Sequence, residues 1–154
     1  MNNIEHPCGE EVQRLYDNLP LFLRENARFC LWRYEQRKGK PTKVPYQVNG
    51  RRADSTDIAT FSSFEDAIAV IDDYDGIGMG VFGKFIAIDI DNCVIDGKLT
   101  DMAQDIISTM DSYTEYSPSG TGIRIIGTAE SLSYEKEKYY SNNRNIHLEV
   151  YVAG

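Results

Sequence analysis

Two aspartates one residue apart, Asp89 and Asp91, end the apolar run Phe85-Ile86-Ala87-Ile88-Asp89-Ile90-Asp91. In a strand, side chains alternate faces, so Ile86, Ile88 and Ile90 point one way while Ala87, Asp89 and Asp91 point the other. Two carboxylates on one face repel each other unless a cation stands between them. A hard divalent ion such as Mg²⁺, which prefers oxygen ligands, meets that need. Taken alone, the motif is equally a strand end whose acids reach water.

A second acid sits in a similar setting. Over an expected strand from Asn145 to Tyr151, the residues Ile146, Leu148 and Val150 share one face, and His147, Glu149 and Tyr151 share the other. If that strand neighbours the one carrying Asp89 and Asp91, three carboxylates converge. A two-metal phosphoryl-transfer site holds attacking and leaving oxygens in this way. By itself, Glu149 reads as an edge-strand surface residue and His147 as a half-exposed strand histidine. Between the acids lies Ser117-Pro118-Ser119-Gly120-Thr121-Gly122-Ile123-Arg124. Its hydroxyls, backbone N–H groups and following cation suit an anion, and Gly120 and Gly122 permit close approach of a phosphate. A plain hairpin turn explains the glycines as well, but not the two serines and the arginine.

The elements that must position these groups follow from periodicity. Phe29–Tyr34 and Thr42–Tyr46 read as a hairpin turned at Lys38-Gly39-Lys40, with Pro45 placing the second strand at an edge. Ser62-x-x-Glu65 is a capping box before a helix with Phe64, Ala67, Ile68 and Ile71 on one side. Strands are expected at Ile77–Phe82 and Phe85–Asp91, turned at Gly83-Lys84, then a helix from Asp101 to Met110. Further strands are expected at Tyr113–Tyr116 and Ile123–Gly127, then a loop from 128 to 143. Short helices are expected before Phe29, one from Glu10 to Asp17. The class is therefore α+β, a mixed and largely antiparallel sheet with flanking helices, with residues 1–28 as a helical N-terminal segment and 29–154 as the core.

Composition narrows the partners. The 154 residues carry 16 basic and 24 acidic side chains, a net charge of −8, which argues against coating DNA through a broad basic surface. Arg33, Arg37, Lys38, Lys40, Lys43, Arg51 and Arg52 nevertheless fall within one stretch of twenty residues. That stretch is either a solvated hairpin or a phosphate-tracking strip, with Lys43, Arg51 and Arg52 as the candidate nucleic-acid contacts. Cys8, Cys30 and Cys93 have no paired spacing and read as reduced thiols. No signal peptide or membrane span is evident, so a cytoplasmic protein is expected.

In order along the chain, several motifs resemble the phage and plasmid primase-polymerase branch of the archaeo-eukaryotic primase superfamily. They are Leu31-Trp32-Arg33-Tyr34, Lys43-Val44-Pro45-Tyr46, Asn49-Gly50-Arg51, Ser55-Thr56-Asp57, Gly76-Ile77-Gly78, Ile88-Asp89-Ile90-Asp91, Tyr113 through Gly122, and Leu148-Glu149-Val150-Tyr151. The resemblance implies that Asp89, Asp91 and Glu149 bind Mg²⁺ or Mn²⁺. It also implies that Ser117, Ser119, Gly120 and Gly122 form a nucleotide-phosphate turn. The family usually has histidine where Arg124 stands; arginine binds phosphate bidentately but exchanges no proton at neutral pH. The family's core continues past its third acid. This chain is accordingly expected to be a portion of a longer replication protein, weak or inactive by itself.

The implied function is DNA-directed nucleotidyl transfer with nucleoside triphosphates and a single-stranded DNA template, with a helicase as a further partner. A non-catalytic nucleotide- or DNA-binding module of the same family is the rival. A haloacid-dehalogenase-like phosphatase, which also begins on Asp-x-Asp, fits poorly, because that motif normally opens a parallel α/β fold.

Overall fold

The computed structural model describes residues 16–130 and 142–152. Cys8 and nearly all of the helix expected over Glu10 to Asp17 lie outside them, as does most of the expected 128–143 loop. The chain divides into two compact units, Met1–Gly80 and Val81–Gly154. The class is α+β with antiparallel sheets, as expected. Among the described residues, no helix is long and apolar enough to cross a membrane.

The first unit starts with α1 (Leu21–Asn26), which follows Pro20 where a missing N–H costs nothing. It then builds a three-stranded antiparallel sheet from β1 (Arg28–Arg37), β2 (Lys40–Tyr46) and, after α2 (Phe64–Ala69), β3 (Gly76–Gly80), in the order β2-β1-β3. Lys38 and Gly39 both take positive φ at the hairpin tip, the backbone that matches strand twist. Pro41 and Pro45 lie in β2, an edge strand, where a missing donor is tolerated. Phe29 meets Phe64 of α2 edge-on at 5.3 Å, and Leu31 is fully buried with Ile71 against Tyr46, Tyr74 and Ile77.

The helix cap is Ser63, not Ser62: the Ser63 hydroxyl accepts from the Asp66 N–H at 3.1 Å. Ser62 is tied to β1 instead, exchanging both backbone hydrogen bonds with Phe29 at 2.7 and 2.8 Å, so the helix starts one residue later.

The second unit contains β4 (Phe85–Ile90), a small hairpin of β5 (Val94–Ile95) and β6 (Lys98–Leu99), α3 (Asp101–Met110), β7 (Tyr113–Tyr116), β8 (Ile123–Thr128), β9 (Asn142–Asn143) and β10 (Leu148–Val152). Five of these strands form one antiparallel sheet in the order β7-β8-β4-β10-β9. The Thr100 hydroxyl caps α3, and Asp111 ends it in the left-handed region. Ile88, Ile90, Ile123 and Ile125 are buried with Cys93 and Ala103, packed by Met102, Ile106, Ile107 and Met110 of α3 and by Leu148 and Val150. At about 1.5–3 kcal/mol for each large apolar side chain, this burial fixes which face of β4 looks inward.

Two further expectations are corrected. β3 and β4 do not form a hairpin: β3 pairs with β1, whereas β4 is the centre of the other sheet. The last strand begins at Leu148, since residues 144–147 form a turn in which His147 takes φ 55°. Ile146 is consequently 40% exposed and not part of the core face. Cys30 and Cys93 are free and buried, in line with reduced thiols.

Candidate active site

Ile88 and Ile90 of β4 and Ile123 and Ile125 of β8 pack toward α3, so the residues alternating with them occupy the opposite face of the sheet. Cross-strand register there aligns one polar row: Glu115 on β7, Arg124 on β8, Asp89 on β4, Glu149 on β10 and Asn142 on β9. A less polar row runs beside it through Tyr113, Ile126, Ala87 and Tyr151. Asp89 therefore stands directly opposite Glu149, as the sequence required for convergence.

A pair of like charges in opposed strand positions is destabilising unless it is compensated. Arg124 supplies compensation on one side, its Nε donating to Asp89 Oδ1 at 2.6 Å and its Nη2 to Asp89 Oδ2 at 2.9 Å. The bond to Asp89 raises the Arg124 pKa, against the opposing effect of burial, and nearby Glu115 and Tyr151 add to the field. On the other side Glu149 accepts from Asn142 Nδ2 at 2.6 Å and, through its second oxygen, from the Tyr151 hydroxyl. Glu115 likewise accepts from the Tyr113 hydroxyl at 2.9 Å. Burial first, then the neighbouring glutamate, pushes both phenols well above their ordinary range, so they remain neutral donors.

The backbone thus brings Asp89 and Glu149 side by side while their head groups turn apart, one toward β8 and the other toward β9. Among the described residues, no three histidine, cysteine, aspartate or glutamate side chains form a group that could hold a metal ion as they stand. The donor set itself is all oxygen and net acidic, which is the chemistry a hard divalent cation takes.

Asp91 lies exposed just past the end of β4, its N–H donating to the His147 carbonyl at 3.0 Å. The serine–glycine turn closes against it. Gly122 is buried, and a Cβ there would sit 2.7 Å from the Ile90 carbonyl oxygen and 3.3 Å from Asp91 Cα. What Gly122 lets approach is therefore the backbone of Asp91. Within the turn, the Gly120 N–H donates to the Ser117 carbonyl at 2.8 Å and the Gly122 N–H to Ser117 Oγ at 3.0 Å. Those two donors are internal. The exposed edge of the turn is a hydroxyl chain, with Ser117 to Ser119 at 3.0 Å and Ser119 to Thr121 at 2.9 Å.

The candidate nucleic-acid contacts belong to the first unit. Arg52 pairs with Glu35 at 2.8 Å, the Arg51 side chain is exposed, and Lys43 Nζ lies 4.5 Å from the Trp32 ring centroid. Sequence reasoning missed Glu115, Tyr113, Tyr151 and Asn142. The available signal was the spacing Tyr113-x-Glu115 and Glu149-x-Tyr151, which sets a phenol beside a carboxylate on one strand face.

No family model matches the sequence. The chain is similar to a protein named DNA primase-polymerase from Nitratiruptor phage NrS-1, with 32% identity over 139 residues. The match covers 86% of this chain and 19% of the phage protein, so the chain spans about a fifth of that relative's length. The similarity supports a relationship to primase-polymerases.

Proposed function

We propose that this chain is the catalytic-core portion of a primase-polymerase that performs metal-dependent, template-directed nucleotidyl transfer in phage or plasmid replication. The supporting observation is the register that sets Asp89 between Glu149 and Arg124, beside the serine–glycine turn. Asp89, Asp91 and Glu149 would hold Mg²⁺ or Mn²⁺. Held there, the metal would supply charge neutralisation to a triphosphate whose α-phosphate is attacked by a primer 3′-hydroxyl with release of pyrophosphate. Arg124 offers a forked, permanently charged donor set to the triphosphate, so its part is electrostatic and not proton transfer. The Ser117 and Ser119 hydroxyls present further donors, and Tyr151 and Asn142 orient Glu149. Unwinding the template calls for a helicase activity, in the same chain or in a partner.

One observation favours the non-catalytic module instead: both Asp89 oxygens are already engaged by Arg124. Calorimetric titration with a deoxynucleoside or ribonucleoside triphosphate, with and without Mg²⁺ or Mn²⁺, separates the two. The catalytic reading expects binding that needs the metal and is lost in Asp89→Ala. Binding indifferent to metal assigns the chain to the module.

A further inference from the structure

Alternation along β1 sends Phe29 and Leu31 to the core side, with Arg33 and Glu35 continuing that face. The cations on that side are committed to structure. Arg33 stacks 4.3 Å from the Tyr74 centroid and donates to the Asp73 carbonyl at 2.9 Å, and Arg52 pairs with Glu35 and lies 4.9 Å from the Tyr46 centroid.

The other face carries Trp32, Tyr34 and Lys43, with Tyr34 directly opposite Lys43. The two rings meet edge-on at 5.1 Å, and Lys43 Nζ lies 4.5 Å from the Trp32 centroid and 6.0 Å from that of Tyr34. Tyr34 is 52% exposed. The indole lies across β3, its Nε1 donating to the Ile77 carbonyl at 3.2 Å. Gly76 makes room for it, since a Cβ there would come within 2.5 Å of the ring. The indole Nε1–H is satisfied internally, so the half-buried Trp32 offers a neighbouring base only its ring, shared with Lys43, and no hydrogen bond.

We propose that Trp32, Tyr34 and Lys43 form a stacking platform for single-stranded DNA, with bases against the rings and a phosphate on the ammonium. The inference rests on the primase-polymerase reading for its choice of a DNA strand as ligand. Charge complementarity supports it: Lys38, Lys40, Lys43 and Arg51 are exposed on or beside this hairpin, although the chain as a whole carries −8. A single strand presents base faces to aromatic side chains, which a stacked duplex hides.

Trp32 is the only tryptophan in the chain, so its fluorescence reports this surface alone. The experiment titrates the protein with a short oligothymidylate and with an abasic oligomer of the same length, following tryptophan emission and anisotropy of a labelled strand. Oligothymidylate is expected to quench Trp32, and the abasic strand to bind more weakly without quenching. Tyr34→Leu, at an exposed position, is expected to weaken oligothymidylate binding roughly tenfold, within the range for loss of one base–aromatic stack. Lys43→Gln is expected to weaken it less and to flatten its salt dependence. Strand binding without a change in Trp32 emission, or no strand binding at all, overturns the platform. Quenching that persists when metal-dependent triphosphate binding is absent leaves the platform standing and removes the polymerase reading. Triphosphate binding without quenching removes the platform alone.

Discussion

Arg124 and Asp89 are cross-strand partners joined by two parallel hydrogen bonds, while Asp89 faces Glu149 across the other side of β4. One cation thereby compensates an acidic pair, and under the proposed function the same guanidinium would exchange Asp89 for a triphosphate.

Arg124→Ala tests that role from two sides. Loss of a charge-assisted contact is expected to weaken nucleotide binding in the presence of metal by about 1.5–3 kcal/mol. Titration with the divalent ion alone is expected to show tighter binding than in the parent chain, because Asp89 is released. An unchanged dissociation constant for nucleotide counts against the assignment. Arg124→Lys should restore little, since an ammonium cannot reproduce the fork.

Gly122→Ala and Gly120→Ala separate close packing from turn geometry. A Cβ at 122 meets the Ile90 carbonyl and Asp91 Cα, so this variant is expected to lose about 1–3 kcal/mol of stability and to displace Asp91, impairing nucleotide binding. Gly120 has open space around it but φ +73°, so its alanine variant should lose about 1–2 kcal/mol through backbone strain alone. Denaturant unfolding with parallel calorimetry checks both. Equal loss of nucleotide binding in the two variants contradicts the distinction.

Stability should respond to pH at both extremes. The Tyr46 hydroxyl, followed by Arg52, holds the Glu35 carboxyl below its ordinary value of 4.5. The unfolded chain binds that proton first on acidification, so the stabilisation is present above about 4.5 and is lost as pH falls below it. Tyr113 and Tyr151 act in the opposite sense. Their folded values lie above the ordinary 10.0, so stability is retained below that pH and declines as pH rises past it. Urea midpoints measured across pH check this. Glu35→Gln should flatten the acid limb, and an unaltered limb refutes the Glu35 assignment.

The face of Asp89 was legible because a strand alternates with period two and its buried isoleucines declare the inward side, whereas the expected strand ran one residue too far and Asp91 lies past its end. Glu149 was legible for the same reason, though His147 was not, since its own positive φ falls outside any alternation rule. The Arg124–Asp89 bond depends on how β8 is registered against β4, which local pattern does not encode. The capping box was read from Ser62, and the bridge from Ser62 to Phe29, a long-range pairing that local pattern does not encode, is what leaves the cap to Ser63. The separation of β3 from β4 was likewise hidden, because a glycine turn looks the same whether or not its strands go on to pair.

The most direct test is template-dependent incorporation of labelled nucleotide, with Mg²⁺ or Mn²⁺, by a natural chain that carries this segment. The account predicts synthesis that requires the metal and falls roughly hundredfold or more in Asp89→Ala and in Asp91→Ala, since each removes a group that positions the reactants. Synthesis that persists undiminished after loss of both aspartates would contradict it.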